Sequence, residues 1–302
     1  MNESKICWGI DLGGTKIEGA VFQLEPELKI FSRLRLPTEQ AKGYEHVLSQ
    51  IKSLIHNLEE DSKLKVGKLG IGTPGTIDKL TGTIKNSNTL CLMGKPMDKD
   101  LSSLLGIPVA MANDANCFAY AETLYGAVKE HTRDAECVFG VIMGTGVGGG
   151  IVVHNKMLNG LHGIAGEWGH NTLVDEGPDC YCGRKGCVET FISGPATEKY
   201  YEKISGKKVK ASEIYQLFLT GDNHAIATIE RLIKYFGKAL ATIVNIIDPE
   251  YIVLGGGLGN LDILYTQGKE EIKKHLFNKD FNTQFLKPKL GDSAGVIGAG
   301  LL

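Results

Sequence analysis

The chain has 302 residues, 42% of them hydrophobic, and 39 are glycine. That glycine share, about 13%, is near twice the ~7% usual in globular proteins, but the nine prolines and the lack of a Gly-x-y period exclude collagen, and the apolar runs exclude disorder. With 33 basic and 35 acidic residues the net charge is −2, and nothing points to a nucleic-acid partner. The N-terminus has no apolar signal core and no uninterrupted apolar run reaches membrane-spanning length, so no membrane association and a cytoplasmic location are expected.

Taken in chain order, Ile6 to Asp11 predicts a strand, Gly13-Gly14 a tight turn, and Ile17 to Leu24 and Lys29 to Leu36 two more strands. Gly43 to Glu60 carries apolar residues at helical spacing. Lys68 to Gly72 predicts a strand, Asp98 to Leu105 a short helix, and Val109 to Ala112 a strand leading directly into a helix from Asn113 to Gly126. Cys137 to Met143 predicts a strand that enters the glycine run 144–150, with Ile151 to His154 leading out. Helices follow over Pro195 to Ile204, Ala211 to Leu219 and Asn223 to Ile247. Tyr251 to Leu254 predicts a strand ending at Gly255-Gly256-Gly257, then come helices from Ile263 to Phe277 and Ala294 to Leu301. The mixture indicates an α/β protein with partly antiparallel sheets. The two strand–small-residue–strand turns suggest an internal repeat. The natural division lies near Ala112-Asn113, with a smaller α/β domain over 1–112, completed by a helix over 293–302, and a larger one over 113–292.

The glycines point to chemistry. Gly144, Gly146 and Gly149 fit G-x-G-x-x-G, but Ile151-Val152-Val153 continues as a strand, so a dinucleotide fold is rejected. No P-loop motif occurs. Asp11, Gly13, Gly14, Thr15 and Lys16 form one turn, and Gly144, Thr145 and Gly146 another. Each offers backbone N–H groups and a threonine hydroxyl to a phosphate. Asp11 at a strand end suits a magnesium ion, directly or through water. Each turn taken singly is equally well a tight hairpin, but the pair together with Asp11 favours a phosphate site. Gly256 and Gly257 follow a strand and suit close passage of a ligand as well as they suit packing.

Cys180, Cys182 and Cys187 place three soft ligands in eight residues, with His170 ten residues upstream. Three thiolates and an imidazole make a closed tetrahedral structural Zn2+ site, against the alternative of free thiols. Asp114 follows the strand at 109–112, where the local pattern favours a helix-capping acid over a catalytic one. Glu167, His170 and Glu189 flank the cysteines, and a polyol would use such carboxylates beside Asn88 and Asn113.

The motifs Asp11-Leu12-Gly13-Gly14-Thr15-Lys16, Ala112-Asn113-Asp114-Ala115-Asn116, Gly144-Thr145-Gly146-Val147-Gly148, Gly166-Glu167-Trp168-Gly169-His170, the run from Cys180 through Cys187 to Glu189, and Gly255-Gly256-Gly257 occur in the order found in the ROK family of bacterial sugar kinases and repressors. The sequence resembles that family over nearly its full length. The resemblance implies a two-domain actin-like/hexokinase (ribonuclease H-like) ATPase fold, with ATP and a hexose in a cleft between the domains. It implies Asp114 as catalytic base, overruling the capping preference. Asn113, Glu167, His170 and Glu189 become sugar contacts, with Asn88 beside them, and His170 also a zinc ligand. Asp11 and the threonine turns become the ATP and Mg2+ side, with Gly256 and Gly257 near the nucleoside, and a homodimer is expected. Within the family, the segments 84–88, 97–102 and 167–171, Trp168 among them, look most like bacterial fructokinases, so the expected reaction converts D-fructose to D-fructose 6-phosphate. N-acetylglucosamine, mannose or glucose are alternative acceptors. A sugar-responsive regulator is the alternative of another class, disfavoured because Asp11 arrives after only ten residues.

Overall fold

The computed structural model describes residues 6–302, which form two compact units. The first unit comprises the chain through Lys129, the segment Met157–Ala165 and the C-terminal stretch Leu290–Leu302. Its sheet has the order β3-β2-β1-β4-β7, built from β1 (Ile6–Leu12), β2 (Lys16–Gln23), β3 (Lys29–Pro37), β4 (Leu69–Thr73) and β7 (Val109–Asn113). Two short strands, β5 (Thr76–Ile77) and β6 (Ile84–Lys85), form a separate antiparallel pair. β1, β2 and β3 run antiparallel, whereas β1, β4 and β7 run parallel.

Successive strand residues face opposite sides of a sheet, and glycines decide what each side accepts. On one side, Gly19 admits helix α1 (Tyr44–Ser62), whose Leu54 and Leu58 lie where its side chain would be. The stripe Val47, Leu48, Ile51, Leu54, Ile55 and Leu58 is buried there, as the spacing predicts. On the other side, Gly9 and Gly70, paired in register, admit the backbone of the C-terminal helix, Ala294–Gly300. Helix α2 (Met97–Leu105) buries Met97 and Leu101 in the same core as α1.

Helix α3 (Asp114–Leu124) lies in the first unit, so the division falls after Lys129 and not at Ala112-Asn113. The cause is packing: a side chain at Gly298 of the C-terminal helix would collide with the Cys117 carbonyl, and Cys117 is fully buried. Glu122 fastens this arrangement. Its buried carboxylate accepts from the N–H groups of Ala127 and Leu290, both at 2.8 Å. Glu122→Ala orphans two backbone donors and is expected to lower unfolding stability by about 2–5 kcal/mol, with Glu122→Gln recovering part of it. Urea denaturation checks this, and a loss below about 1 kcal/mol would contradict it.

The second unit, residues 130–156 and 166–289, repeats the plan. Its sheet order is β10-β9-β8-β11-β12, from β8 (Cys137–Met143), β9 (Val147–Val153), β10 (Lys156–Met157), β11 (Tyr251–Gly255) and β12 (Gln284–Leu286). Again a hairpin, β8 with β9, is followed by parallel strands on the other side of the first strand. The repeat suggested by two similar turns is therefore one of topology. The helices are α4 (Glu189–Ile192), α5 (Gly194–Ser205), α6 (Ala211–Leu219), α7 (Asn223–Ile247) and α8 (Lys269–Lys273). The Asp222 carboxylate caps α7 by accepting from the Ala225 N–H at 2.8 Å, and Leu232, Phe236 and Leu240 carry its apolar stripe into the core.

Two expected elements differ. The run Gly148–Gly150 belongs to β9 and not to the turn, because Trp168 and Phe139 pack over Gly149 where a side chain would stand. The helix expected from Ile263 to Phe277 opens with a wide π-type turn, Leu264–Gly268, and ends early at Lys273. Among the described residues no helix is long and apolar enough to cross a membrane.

Candidate functional site

In the first unit the strand register brings two carboxylates together. Asp11 aligns with Gly72 on β4, and Gly72 with Ala112 on β7, so Asp114 follows two residues beyond. Both acids thus stand at the carboxyl ends of parallel strands, the usual place for ligands in α/β sheets. The Asp11 carboxyl is pushed up to about 6 by burial, with the charges of Asp114 and Glu18 adding to it. Glu18 itself is buried and holds Arg33 and Arg35 of β3. A cation at Asp11 would relieve this crowding of negative charge, so the donor set suits magnesium. In magnesium-free buffer Asp11→Asn is expected to raise Tm by roughly 2–6 °C at pH 8. The folded pKa lies above the ordinary 3.8, so the buried charge weighs on the folded state fully above about 6 and not below 3.8. Melting curves from pH 4 to 8 check the effect, which must vanish at the acid end.

The turn between β1 and β2 is closed by the Gly13 N–H donating to the Lys16 carbonyl at 2.9 Å. The Thr38 hydroxyl braces it by donating to the Gly13 carbonyl at 2.6 Å, and Thr15 and Lys16 are exposed. Gln40 and Thr89, which the sequence did not single out, flank Gly14. Asn113 holds the N-cap position: its Oδ1 accepts from the N–H groups of Ala115 at 2.9 Å and Asn116 at 3.4 Å, and the Asp114 Oδ1 shares the Ala115 N–H at 2.8 Å. Its amide donates to the Gly75 carbonyl at 3.3 Å, so much of its bonding capacity is spent inside the protein. Gly75 has φ +82 and packs against Lys85 and Ser87, next to the exposed Asn88.

In the second unit the turn Gly144-Thr145-Gly146 closes through the Gly144 N–H and the Gly146 carbonyl at 2.9 Å. A cavity of about 630 Å3 opens beside it, within the range of small-molecule sites. Gly144, Thr145 and Gly257 line it together with Pro195, Tyr215 and Gln216 from α5 and α6, which carry no motif and were missed. Gly256, at φ +76, presses its backbone on Met143, while Gly257 faces open space.

Glu167, His170 and Glu189 converge in the same unit. Burial raises the Glu167 carboxyl above its usual range, with His170 lowering and Glu189 raising it. The Glu189 Oε2 accepts from the Val147 N–H at 2.9 Å, directly after the Thr145 turn. His170, Cys180, Cys182 and Cys187 form one cluster, with their ligand atoms all within 4.8 Å of one another. His170 Nδ1 lies 3.5 Å from the Cys180 Sγ, and the Cys182 and Cys187 sulfurs are 3.6 Å apart. Tetrahedral zinc with bonds of about 2.3 Å to sulfur would set such edges at roughly 3.5–3.8 Å. Backbone and side-chain donors of Arg184, acting against burial, hold the Cys182 thiol low. The His170 Nε2 meets the Tyr181 hydroxyl at 3.0 Å, which fixes the ring. The donor set fits zinc.

Two units of one topology, each with a glycine turn between its first two strands, define the two-lobed actin and hexokinase class of ATPase fold. The ROK family model matches residues 7–302, and the chain belongs to the ROK family. It is 36% identical over 305 residues to an N-acetyl-D-glucosamine kinase of Vibrio atlanticus, covering 98% of both chains. It is 37% identical over 306 residues to the one of Histophilus somni, again covering 98% of both. Among solved structures, a ROK hexokinase from Thermus thermophilus matches with a TM-score of 0.85 and 32% identity, covering 98% of this chain and 97% of that one. A ROK family glucokinase from Streptomyces griseus, in complex with glucose and AMPPNP, matches with a TM-score of 0.82 and 26% identity, covering 98% of both.

These relatives overturn the fructokinase expectation. The structure shows why the residues behind it misled. Trp168 is 2% exposed, packs edge-on against Phe139 at 5.6 Å and donates its Nε1–H to the Gly148 carbonyl at 2.9 Å. Ser87 is buried in its own turn, and Met97 and Leu101 are core. These four residues serve packing.

Proposed function

We propose that this chain is an ATP-dependent kinase that transfers the γ-phosphoryl group to the primary hydroxyl of N-acetyl-D-glucosamine. The observation that carries the reading is the end-to-end similarity to kinases named for that sugar, over a chain that keeps Asp114 and both turns.

Asp114 takes the proton of the attacking hydroxyl as the oxygen forms its bond to the γ-phosphorus, and ADP leaves with the bond pair. In the first unit, Asn113 and Asn88 orient the hexose and Asp11 holds magnesium. When bound, that ion neutralises charge on the transferring phosphate. The turn 13–16 offers N–H groups and the Thr15 hydroxyl to phosphate oxygens. In the second unit, Glu167 and Glu189 read sugar hydroxyls as acceptors, while His170, with Nδ1 turned to the cysteine cluster, can offer only its Nε2–H as a donor. Thr145 and the turn around it hold phosphates, and the cavity past Gly257 takes the nucleoside. His170, Cys180, Cys182 and Cys187 would hold zinc, which would fix the loop that carries His170 and Glu189.

An ADP-release assay over N-acetylglucosamine, glucose, mannose and fructose tests the assignment. The expected result is a kcat/KM for N-acetylglucosamine at least about tenfold above the others. A preference for fructose, glucose or mannose would overturn the choice of sugar.

A further inference from the structure

A second cavity of about 630 Å3 lies in the second unit, on the other side of the start of α5. Its cationic wall is built from one helical stripe and one buried neighbour. Lys199 and Lys203 stand four residues apart on α5, on the face shared by Ala196 and Tyr200, and Arg231 reaches in from α7.

Arg231 is the unusual member. Its guanidinium is partly buried and sits 4.6 Å from the Tyr200 ring, 5.0 Å from Phe191 and 5.1 Å from Tyr235. One N–H donates to the Phe191 carbonyl at 3.2 Å. Five donors are available on a guanidinium, so the planar fork keeps capacity for an oxyanion. Among the described residues, none of Lys199, Lys203 and Arg231 forms an ion pair, although neighbouring Lys208 and Lys210 pair with Glu202 and Glu198. The two lining acids are engaged elsewhere: Asp179 faces Lys185 at 4.0 Å, and Glu189 accepts from the Val147 N–H. Three cations, none of them in an ion pair among the described residues, thus line a cavity whose two carboxylates, Asp179 and Glu189, meet Lys185 and the Val147 N–H, which leaves the cationic wall able to take an anion.

We propose that this cavity binds a phosphorylated sugar, its phosphate on Arg231, Lys199 and Lys203. A sugar fits better than a purine because the lining rings are already occupied, Tyr200 by Arg231 and Tyr181 edge-on to His170 at 5.1 Å. Thr145 lines both this cavity and the one assigned to the nucleoside, so occupancy here bears on the nucleotide turn.

Calorimetric titration of the full chain tests this without turnover; the blocked sugar and nucleotide sites rest on the kinase reading, and the Lys199/Lys203 variant separates failure of this site from failure of that reading. A hexose 6-phosphate, inorganic phosphate and ADP are each titrated into protein saturated with N-acetylglucosamine and a non-hydrolysable ATP analogue. The hexose 6-phosphate is expected to bind saturably, and Lys199→Glu/Lys203→Glu to weaken it about tenfold or more while kinase constants stay unchanged. Both lysines are exposed and outside the proposed machinery, so this variant retains its fold. Arg231→Met is expected to abolish binding, with circular dichroism confirming a folded protein. Unchanged affinity in the double variant, or no saturable binding, would overturn the site. Binding of ADP with no binding of the sugar phosphate would overturn the ligand class.

Discussion

Asp114→Asn is expected to lower kcat by about 10²–10⁴-fold while sugar affinity changes little. The substitution is nearly isosteric and spares the helix start, because Asn113 makes the cap. What it removes is the proton acceptor. Asparagine can still accept a hydrogen bond from the sugar hydroxyl, so binding survives where the chemical step does not. A second consequence distinguishes a charge effect from a disturbed fold. Asp114 is among the charges that raise Asp11, so removing it moves the Asp11 pKa from about 6 back toward 3.8. Steady-state kinetics with sugar binding by calorimetry checks the first effect, and carboxyl NMR titration the second. A turnover within about threefold of wild type would remove Asp114 from the role of base.

The parts legible in the sequence were those whose cause is local. Apolar runs joined by small-residue turns marked the two hairpins, 3.6-residue spacing marked α1 and α7, and Cys180, Cys182 and Cys187 marked their loop through chemistry no other arrangement explains as well. What escaped was set by packing at a distance. Met157–Ala165 joins the first unit because Gly163 lies against Thr76 and Lys79 bonds the Gly160 carbonyl, neither of which leaves a pattern in the chain. The cavity proposed for the nucleoside draws on Pro195, Tyr215 and Gln216, ordinary helix residues until α5 and α6 are placed beside Gly257. Asn113 and Asp114 were ambiguous as cap and acid because adjacent polar residues at a strand–helix junction satisfy either pattern, and only the position of Asn113 Oδ1 over two N–H groups separates them. The sugar was not legible because Trp168, one of the residues that set the fructokinase expectation, is buried against its own unit, while Asn171 beside it is exposed and carries no pattern that separates one hexose from another.

Cys187→Ser is expected to empty the metal site and raise KM for both sugar and ATP, each by about 10–100-fold. Both effects follow from a short run of chain. Cys187 is fully buried, forms a backbone bridge with Thr172, and accepts at its carbonyl from the Thr190 hydroxyl at 2.7 Å. Two residues on, Glu189 opens α4 and receives the Val147 N–H next to the Thr145 turn. The space is tight, since a side chain at Gly146 would come within 2.6 Å of Glu189 Oε2. On the proposed reading, metal on Cys187 would steady His170 on one side and, through Glu189, the turn assigned to phosphate on the other. Without it the groups assigned to the sugar would lose their fixed positions and the turn its brace, whereas Asp114, held by β7 and α3 in the first unit, would be untouched. Hence kcat should fall less than either KM rises. Elemental analysis should give one zinc per wild-type chain and nearly none in the variant, with Cys91→Ser as the control that retains both metal and kinetics. Zinc-free protein with unchanged KM for ATP would show that the loop and the turn are not mechanically joined.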